Sequence, residues 1–206
     1  MKALLIIDLQ NDFLPGGALA VNCGDEIIPI INELQSVFDL VIATKDWHPA
    51  NHKSFASNHQ NEKIGNVINL NGIEQVLWSD HCVQNSFGAE LSSLLNKDSI
   101  SKIIIKGTDT EIDSYSAFFD NNHINSTGLH KYLKENNVDE LFITGLATDY
   151  CVYFTVKDAL QLGYKTRLVT DAVKGVNINS SDSQKAIDDM EKNGAMLITS
   201  KEIINL

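Results

Sequence analysis

The sequence predicts an α/β protein with a doubly wound, mostly parallel sheet of about six strands, flanked by helices on both faces. Six short runs rich in β-branched residues recur along the chain, at 3–7, 40–44, 103–105, 141–144, 167–170 and 196–199. Most of these runs are continuously apolar, as are strands that are buried on both faces. Amphipathic stretches separate them, and this alternation is typical of βαβ units with right-handed crossovers.

Apolar residues recur at helical spacing between the strands. They are Ile27, Ile31, Leu34 and Phe38; Leu129 and Leu133; and Val152, Val156, Ala159 and Gly163. A last helix is expected near 181–192, because Asn193-Gly194 is a C-terminal stop signal. Residues 45–85 show little periodicity and contain four of the six histidines; long irregular stretches tend to be functional. No repeat or linker interrupts the chain, so we predict a single domain over residues 1–206.

The composition narrows the classes of function. Hydrophobic residues make up 43% of the 206 residues and charged residues 21%, which argues against disorder. The net charge is -11, and Arg167 is the one arginine. We therefore expect neither nucleic acid nor a membrane as a partner, but a small, neutral or mildly polar substrate. The first apolar run ends at Asp8, too early for a signal sequence or a membrane span, so we expect a cytoplasmic protein.

Reactive side chains follow four of the predicted strands. Asp8 follows the first strand, Asp46 and His48 follow the second, Lys106 follows the third, and Cys151 opens a helix after the fourth. Because ligands of open α/β sheets bind beyond the carboxyl ends of the strands, we expect these side chains to meet at one edge.

Cys151 is a candidate nucleophile. A thiol at the start of a helix is exposed to the positive end of the helix dipole, which should lower its pKa, and the free N–H groups there could hold an oxyanion. Asp8 could take the thiol proton and pass it to a leaving amine, with Lys106 as a charged neighbour. The alternative is that Cys151 is a small buried hydrophobe, as free cysteines commonly are.

Asp46 and His48 are candidate metal ligands, because alternate residues of an extended segment point to the same side. Oxygen and imidazole ligands suit zinc, iron or manganese. A third ligand would have to come from His52, His59 or His81. Two aromatic residues, Phe13 and Trp78, either belong to the core or wall a flat pocket.

These residues belong to longer motifs at 7–13 and 15–19, 46–52 and 54–56, 80–84, 106–107, 113–118, and 145–152. With these motifs the sequence resembles the nicotinamidases, also called pyrazinamidases, which are cysteine hydrolases of the isochorismatase-like fold. The histidine-rich segment at 46–52 and the Asp80-His81-Cys82-Val83-Gln84 segment are the discriminating part. One departure is Ser79, where many relatives have a proline.

The resemblance implies roles for individual residues. The catalytic triad would be Asp8, Lys106 and Cys151. The backbone N–H groups of Ala147 and Cys151 would form an oxyanion hole, after a cis peptide bond between Leu146 and Ala147. The metal ligands would be Asp46, His48 and His81, with His52 either a further ligand or a neighbour of the ligands. The substrate would contact Phe13, Leu19, Trp78, Tyr115 and Tyr150.

The resemblance also implies the reaction. It would be metal-assisted hydrolysis of nicotinamide to nicotinate and ammonia, a step of NAD salvage, with pyrazinamide as a further substrate. The cofactor would be one divalent metal ion, zinc in most relatives, with iron or manganese as alternatives. Relatives range from monomers to larger assemblies, so a homodimer remains one of several open states.

Other functions stay open at this stage. The nearest alternative is hydrolysis of another small amide, such as a carbamoyl or ureido compound, by the same triad. Isochorismate hydrolysis would leave Cys151 without a task and offer one arginine for a dicarboxylate. A non-catalytic nucleotide-binding domain with a redox-sensing thiol is disfavoured because no GxGxxG or GxxxxGK[ST] loop is present. A structural zinc site is disfavoured because the candidate ligands include no cysteine cluster.

Overall fold

A computed structural model describes residues 1–205 of the chain. The strands are β1 (Lys2–Ile7), β2 (Val41–Asp46), β3 (Val67–Leu70), β4 (Ile73–Val76), β5 (Lys102–Lys106), β6 (Glu140–Leu146), β7 (Lys165–Lys174) and β8 (Met196–Ile198). Six of them form one sheet in the order β5-β2-β1-β6-β7-β8, and every neighbouring pair is parallel. The predicted sheet of six parallel strands is confirmed.

Helices cover both faces of this sheet, as predicted. They are α1 (Ile28–Leu34), α2 (Leu129–Glu135), α3 (Tyr153–Gln161), α4 (Asp182–Lys192) and α5 (Ser200–Ile204). Apolar residues of α1 and α5 pack in one core with Leu4 and Ile6 of β1. Those of α2, α3 and α4 pack in a second core with Leu5 and Ile7, on the opposite face of the strand. The alternation of neighbouring side chains between two cores explains why β1 is apolar at every position from Ala3 to Ile7.

The chain order around β1 creates the crevice in which the site lies. Successive strands run outward from β1 to one edge through β2 and β5, and then to the other edge from β6 onward. Ligands of doubly wound sheets bind at the carboxyl ends of the strands where this reversal occurs. The ends of β1, β2, β5 and β6 therefore frame the candidate site.

The irregular stretch at 45–85 contains a hairpin that the sequence analysis missed. Strands β3 and β4 pair antiparallel around Asn71 and Gly72, which have φ angles of +52° and +95°. An Asn-Gly pair between two strands is a strong signal for this turn, since both residues must adopt positive φ. The first helix is also shorter than its apolar spacing predicts, because 3₁₀ turns, Gly24–Ile27 and Gln35–Val37, occupy both of its ends.

Within residues 1–205, every helix is too short or too polar to cross a lipid bilayer.

Candidate active site

The structure brings Asp8, Lys106 and Cys151 together in a buried corner. Asp8 directly follows β1, Lys106 ends β5, and Cys151 lies in a single π-helical turn, Thr148–Val152, between β6 and α3. The Lys106 Nζ atom is 2.9 Å from Asp8 Oδ2 and 3.5 Å from Cys151 Sγ. A carboxylate oxygen of Asp8 and Cys151 Sγ lie within 4.8 Å of each other. The three residues are therefore close enough to exchange a proton or share a charge.

Asp8 is placed to accept a proton. Its Oδ1 accepts a hydrogen bond from the Thr44 hydroxyl of β2, which the sequence analysis did not identify. Its Oδ2 forms the ion pair with Lys106 but has no directed hydrogen-bond partner among the described residues. Burial raises the pKa of Asp8 to about 6, against the opposing charge of Lys106. A carboxylate with a raised pKa and an oxygen free of hydrogen bonds can serve as a general base.

Lys106 is a fixed positive charge shared by two carboxylates. Its side chain is fully buried, and its Nζ contacts Asp46 Oδ1 at 2.5 Å in addition to Asp8. The carbonyl oxygen of Ser114 accepts a third contact at 2.9 Å. Burial alone would lower the pKa of Lys106, but Asp46 and Asp8 raise it well above its ordinary value. The side chain therefore stays protonated and links the candidate nucleophile to the candidate metal ligands.

Cys151 has a raised rather than a lowered pKa, and the expectation drawn from the helix dipole is wrong. Burial raises the pKa of the thiol well above its ordinary value, although the charge of Lys106 acts in the opposite direction. The dipole effect is limited to less than about 2 kcal/mol, whereas complete burial of a thiolate costs more. The resting side chain is a thiol, so it needs a base to become a nucleophile.

The turn that carries Cys151 has the predicted backbone form. The peptide bond between Leu146 and Ala147 is cis. The Ala147 carbonyl accepts hydrogen bonds from Tyr150 and Val152 at 3.1 Å, which closes the turn. Ala147 and Cys151 both line the adjacent cavity. That their N–H groups form an oxyanion hole remains a prediction.

Asp46, His48 and His81 converge as the sequence predicts for a metal site. Asp46 Oδ2 is 3.6 Å from His48 Nε2 and 3.9 Å from His81 Nε2. The Nδ1 atoms of His48 and His81 contact the carbonyl oxygens of Gly107 and Ser79, at 2.9 Å and 2.7 Å. Because a carbonyl can only accept, each Nδ1 carries a proton, and the Nε2 atom of each ring presents a lone pair when the ring is neutral. The His48 Nε2 atom is buried and has no hydrogen-bond partner in the described residues.

The charges of two of these side chains suit a divalent ion directly, and that of the third does so by exchange of a proton. Burial would lower the pKa of His48, but Asp46 raises it above its ordinary value, so a cation bound here would take the place of the proton on His48 Nε2. Burial lowers the pKa of His81 to about 4, and the neighbouring His48 adds to this, so His81 is neutral at pH 7. Burial would raise the pKa of Asp46, but Lys106 and His48 lower it below its usual range, so Asp46 is ionised. Neutral imidazole and ionised carboxylate are the forms that bind metal. The residues present therefore fit a divalent metal ion with oxygen and nitrogen ligands.

His52 differs from the other two histidines in its hydrogen bonding. Its Nδ1 accepts a hydrogen bond from the backbone N–H of Ser54 at 3.2 Å and lies 2.7 Å from the Ser54 hydroxyl. The neutral ring must then carry its proton on Nε2, which makes that atom a donor. His52 and His48 also lie within reach of Asp113. The remaining candidate, His59, contacts the Lys53 carbonyl instead.

A cavity opens beside Cys151 and the metal-ligand group. It is lined by all five predicted substrate contacts, namely Phe13, Leu19, Trp78, Tyr115 and Tyr150. Its walls are mainly aromatic and apolar, which suits a small, flat ring. The ring of Tyr150 meets that of Trp78 edge to face, with centroids 4.9 Å apart. The Trp78 indole N–H donates to the Tyr115 hydroxyl at 3.1 Å, so these walls are held in place.

Two residues of the cavity wall, Asp113 and Val176, were not among the predicted substrate contacts. Asp113 lies in the motif at 113–118, which contributes to the family resemblance. Its carboxylate accepts hydrogen bonds from the Ser114 N–H and the buried Gln75 amide. Val176 is held over the cavity because its N–H donates to Asp149 at 2.9 Å. Neither position shows a local sequence signal, since both depend on contacts between distant segments.

A family model described as "Isochorismatase domain" matches residues 2–202. The match spans nearly the whole sequence and agrees with the doubly wound sheet and the site at its edge. The chain belongs to the isochorismatase family.

Within that family, the similarity is to nicotinamidases. The nicotinamidase of Escherichia coli K12 is 52% identical to this chain over 202 residues, covering 96% of this chain and 94% of that protein. The structure of an Acinetobacter baumannii nicotinamidase/pyrazinamidase is 44% identical with a TM-score of 0.95, covering 98% of this chain and 97% of that one. The structure of a Pyrococcus horikoshii pyrazinamidase in complex with zinc is 38% identical with a TM-score of 0.78. The match covers 96% of this chain and 98% of that one.

Proposed function

We propose that the chain hydrolyses nicotinamide to nicotinate and ammonia, with Cys151 as the nucleophile. The observation that supports this most strongly is the buried corner in which Asp8, Lys106 and Cys151 meet. That corner opens into an aromatic cavity lined by Asp46 and His81. The identity of 52% to a nicotinamidase supports the choice of substrate.

In the first step, Asp8 takes the proton of the Cys151 thiol. The thiolate then attacks the carboxamide carbon, and the N–H groups of Ala147 and Cys151 receive the negative charge of the tetrahedral oxygen. Asp8 returns the proton to the amide nitrogen, the C–N bond breaks, and ammonia leaves. The product of this half-reaction is a thioester between Cys151 and the nicotinoyl group.

In the second step, water hydrolyses the thioester. Asp8 removes one proton from the attacking water, and the C–S bond breaks to give nicotinic acid and the thiolate of Cys151. Nicotinic acid releases its carboxyl proton to solvent and leaves as nicotinate. The proton held by Asp8 then restores the thiol. The negative charge lies either on the Asp8 carboxylate or on the Cys151 sulfur. Lys106 stabilises it in both places, because its Nζ contacts Asp8 Oδ2 and Cys151 Sγ.

We assign Asp46, His48 and His81 as the ligands of a divalent metal ion. When bound, the ion supplies a Lewis-acid position that can hold the ring nitrogen of the substrate and so orient it. Zinc is the first candidate, because the Pyrococcus horikoshii pyrazinamidase was crystallised with it. Iron and manganese accept the same donor set. We place His52 beside the ligands rather than among them, since its Nε2 carries a proton.

The cavity supports a small aromatic amide as substrate. The rings of Trp78, Tyr115 and Tyr150 offer aromatic faces and edges against which a pyridine or a pyrazine can pack. We therefore include pyrazinamide among the substrates, in line with the Acinetobacter baumannii relative, which is described as both a nicotinamidase and a pyrazinamidase.

The test is ammonia release from nicotinamide by the purified protein. We expect release by the zinc-loaded wild type and by Cys23→Ala, a control cysteine outside the site, but none by Cys151→Ala. We expect Asp46→Ala, with the metal removed, chiefly to raise KM, because the ion orients the substrate. Absence of release from folded, metal-loaded wild type would refute the proposal, and a panel of carbamoyl and ureido compounds would then identify the alternative amide. An unchanged KM in folded Asp46→Ala would refute the orienting role.

A further inference from the structure

The segment after β1 presents three polar side chains at alternate positions, and the proposed reaction uses only Asp8. The other two are Gln10 and Asp12. We propose that Gln10 and Asp12 are positioning residues, which set the affinity of the site for a divalent metal ion without touching the ion. The inference rests on the metal site assigned in the proposed function.

Gln10 holds the backbone of Asp46 at both of its polar groups. The Gln10 Oε1 atom accepts from the Asp46 N–H at 2.7 Å, and Nε2 donates to the Asp46 carbonyl at 2.7 Å. The second hydrogen of the amide goes to the carbonyl of Ala89 at 2.9 Å. Gln10 is completely buried, so water cannot substitute for these bonds. Gln10 therefore helps to fix the backbone from which the Asp46 carboxylate projects, while Lys106 contacts the carboxylate itself.

Asp12 does the same for the segment that carries His81. Its Oδ2 accepts from the N–H of Cys82, the next residue, at 2.7 Å. Its Oδ1 accepts from the Ala18 N–H at 3.3 Å. Cys82 has a φ of +46°, a conformation that a non-glycine residue keeps only when its surroundings impose it. The charged hydrogen bond from Asp12 is one such constraint.

The segment that Asp12 orders also binds the backbone of the third ligand, His48. The carbonyl of Cys82 accepts from the His48 N–H at 3.0 Å, and the His48 carbonyl accepts from Gln84 at 2.8 Å. Asp12 thus orders the segment to which the His48 backbone is bound. All three ligands are connected by backbone hydrogen bonds to side chains of one short segment.

Gly88 provides an independent way to disturb Asp12. Its carbonyl accepts from the Asp12 N–H at 3.0 Å. A Cβ atom at position 88 would lie 2.0 Å from Asp12 Oδ2, the atom that binds Cys82. Gly88→Ala must therefore push the carboxylate away from Cys82. This residue lies outside the ligand set, so its effect on metal affinity would have to pass through the two positioning residues, directly through Asp12 or through Ala89, which binds Gln10.

The experiment measures the Zn²⁺ dissociation constant of each folded variant by competition with a chromophoric chelator. We expect Gln10→Met and Asp12→Ala to bind Zn²⁺ about 10- to 100-fold more weakly than wild type, the usual effect of losing a group that orients a ligand. Gly88→Ala should resemble Asp12→Ala. Asp12→Asn should recover part of the loss, because its amide oxygen can still accept from Cys82.

Gln35→Met is the matched control. Gln35 is also a buried glutamine, but it bonds Asn32 of α1 and should change Zn²⁺ affinity less than about twofold. Wild-type affinity in both Gln10→Met and Asp12→Ala would overturn the inference. If Gln10→Met does not fold, wild-type affinity in Asp12→Ala and Gly88→Ala overturns it equally. Failure of the wild type itself to bind Zn²⁺ would instead overturn the metal site, and this inference with it.

Discussion

Replacing Lys106 with methionine tests the electrostatics of the site most directly. The change keeps the length of the side chain but removes the one positive charge in contact with both Asp8 and Asp46. Breaking a buried ion pair by removing one partner costs about 3–5 kcal/mol, because the remaining charge is left uncompensated. For a chain of this size, a loss of about 1 kcal/mol in the free energy of unfolding lowers the Tm by about 2–4 °C. We therefore expect Lys106→Met to lower the Tm by about 6–20 °C at pH 7.5.

The loss should depend on pH in a direction that follows from the pKa shifts. The pKa of Asp8 is already raised to about 6 beside Lys106, and removing the cation raises it further. A carboxyl whose pKa is higher in the folded state than in the unfolded state lowers the free energy of unfolding. This loss is absent below the unfolded-state pKa and is largest above the folded-state pKa. The destabilisation by Lys106→Met should therefore shrink by at least about 1 kcal/mol between pH 7.5 and pH 5.

Lys45→Met is the matched control for this experiment. Lys45 is also a mostly buried lysine, and its Nζ lies 3.0 Å from Glu90 Oε2. The Glu90 side chain, however, is 56% exposed. Such a pair contributes about 0–1 kcal/mol, so the control should lose little stability at either pH. Urea unfolding of the metal-free proteins at the two pH values measures both variants. A loss below 1 kcal/mol in Lys106→Met, or a loss that is the same at both pH values, would refute the assignment of Lys106 as a shared counter-ion.

Three further predictions concern the reaction and the metal ligands. With Asp8 as the base, kcat/KM for nicotinamide should rise about tenfold per pH unit below about pH 6 and level off above it; a flat profile between pH 5 and 7 would exclude Asp8. Thr44→Val should lower kcat/KM by about 10- to 100-fold, the equivalent of one hydrogen bond to a charge, while Thr44→Ser keeps the hydroxyl and most of the activity. Gly107→Ala places a Cβ 2.4 Å from the His48 ring and should weaken Zn²⁺ binding about 10- to 100-fold; Gly163→Ala, also at positive φ but with open space around it, should leave the dissociation constant unchanged.

The strands could be predicted from the sequence, and so could the strand ends after which the reactive residues lie. Continuous apolar runs such as that of β1 mark strands buried on both faces, and parallel strands bring their carboxyl ends to one edge. Residues that follow different strands, such as Asp8 and Cys151, can then be placed together without knowledge of the packing. The hairpin of β3 and β4 had a readable signal in Asn71-Gly72, because few other residue pairs accept two positive φ angles.

The protonation states and the partner of Lys106 could not be predicted in this way. A pKa depends on how completely a group is buried, and burial depends on side chains from many segments. The sequence places Cys151 at a helix start, which favours the thiolate, but the surrounding core favours the thiol more strongly. The pairing of Lys106 with Asp46 depends on the register between β2 and β5, where these two residues are neighbours. Because β2 is buried at every position, its residue pattern does not distinguish one register from another.

The raised pKa values of Asp8 and Cys151 have the same main cause, and this bears on how the proton moves. Burial raises both pKa values, so the two shifts partly cancel in their difference, which sets the cost of proton transfer. Lys106 lies 2.9 Å from Asp8 Oδ2 and 3.5 Å from Cys151 Sγ. A negative charge that passes from the carboxylate to the sulfur therefore stays beside the same cation. Little reorganisation of the surroundings is needed, which is the condition under which preorganised charges accelerate a reaction. A thiol that is inert in the resting protein can thus become a nucleophile beside this base.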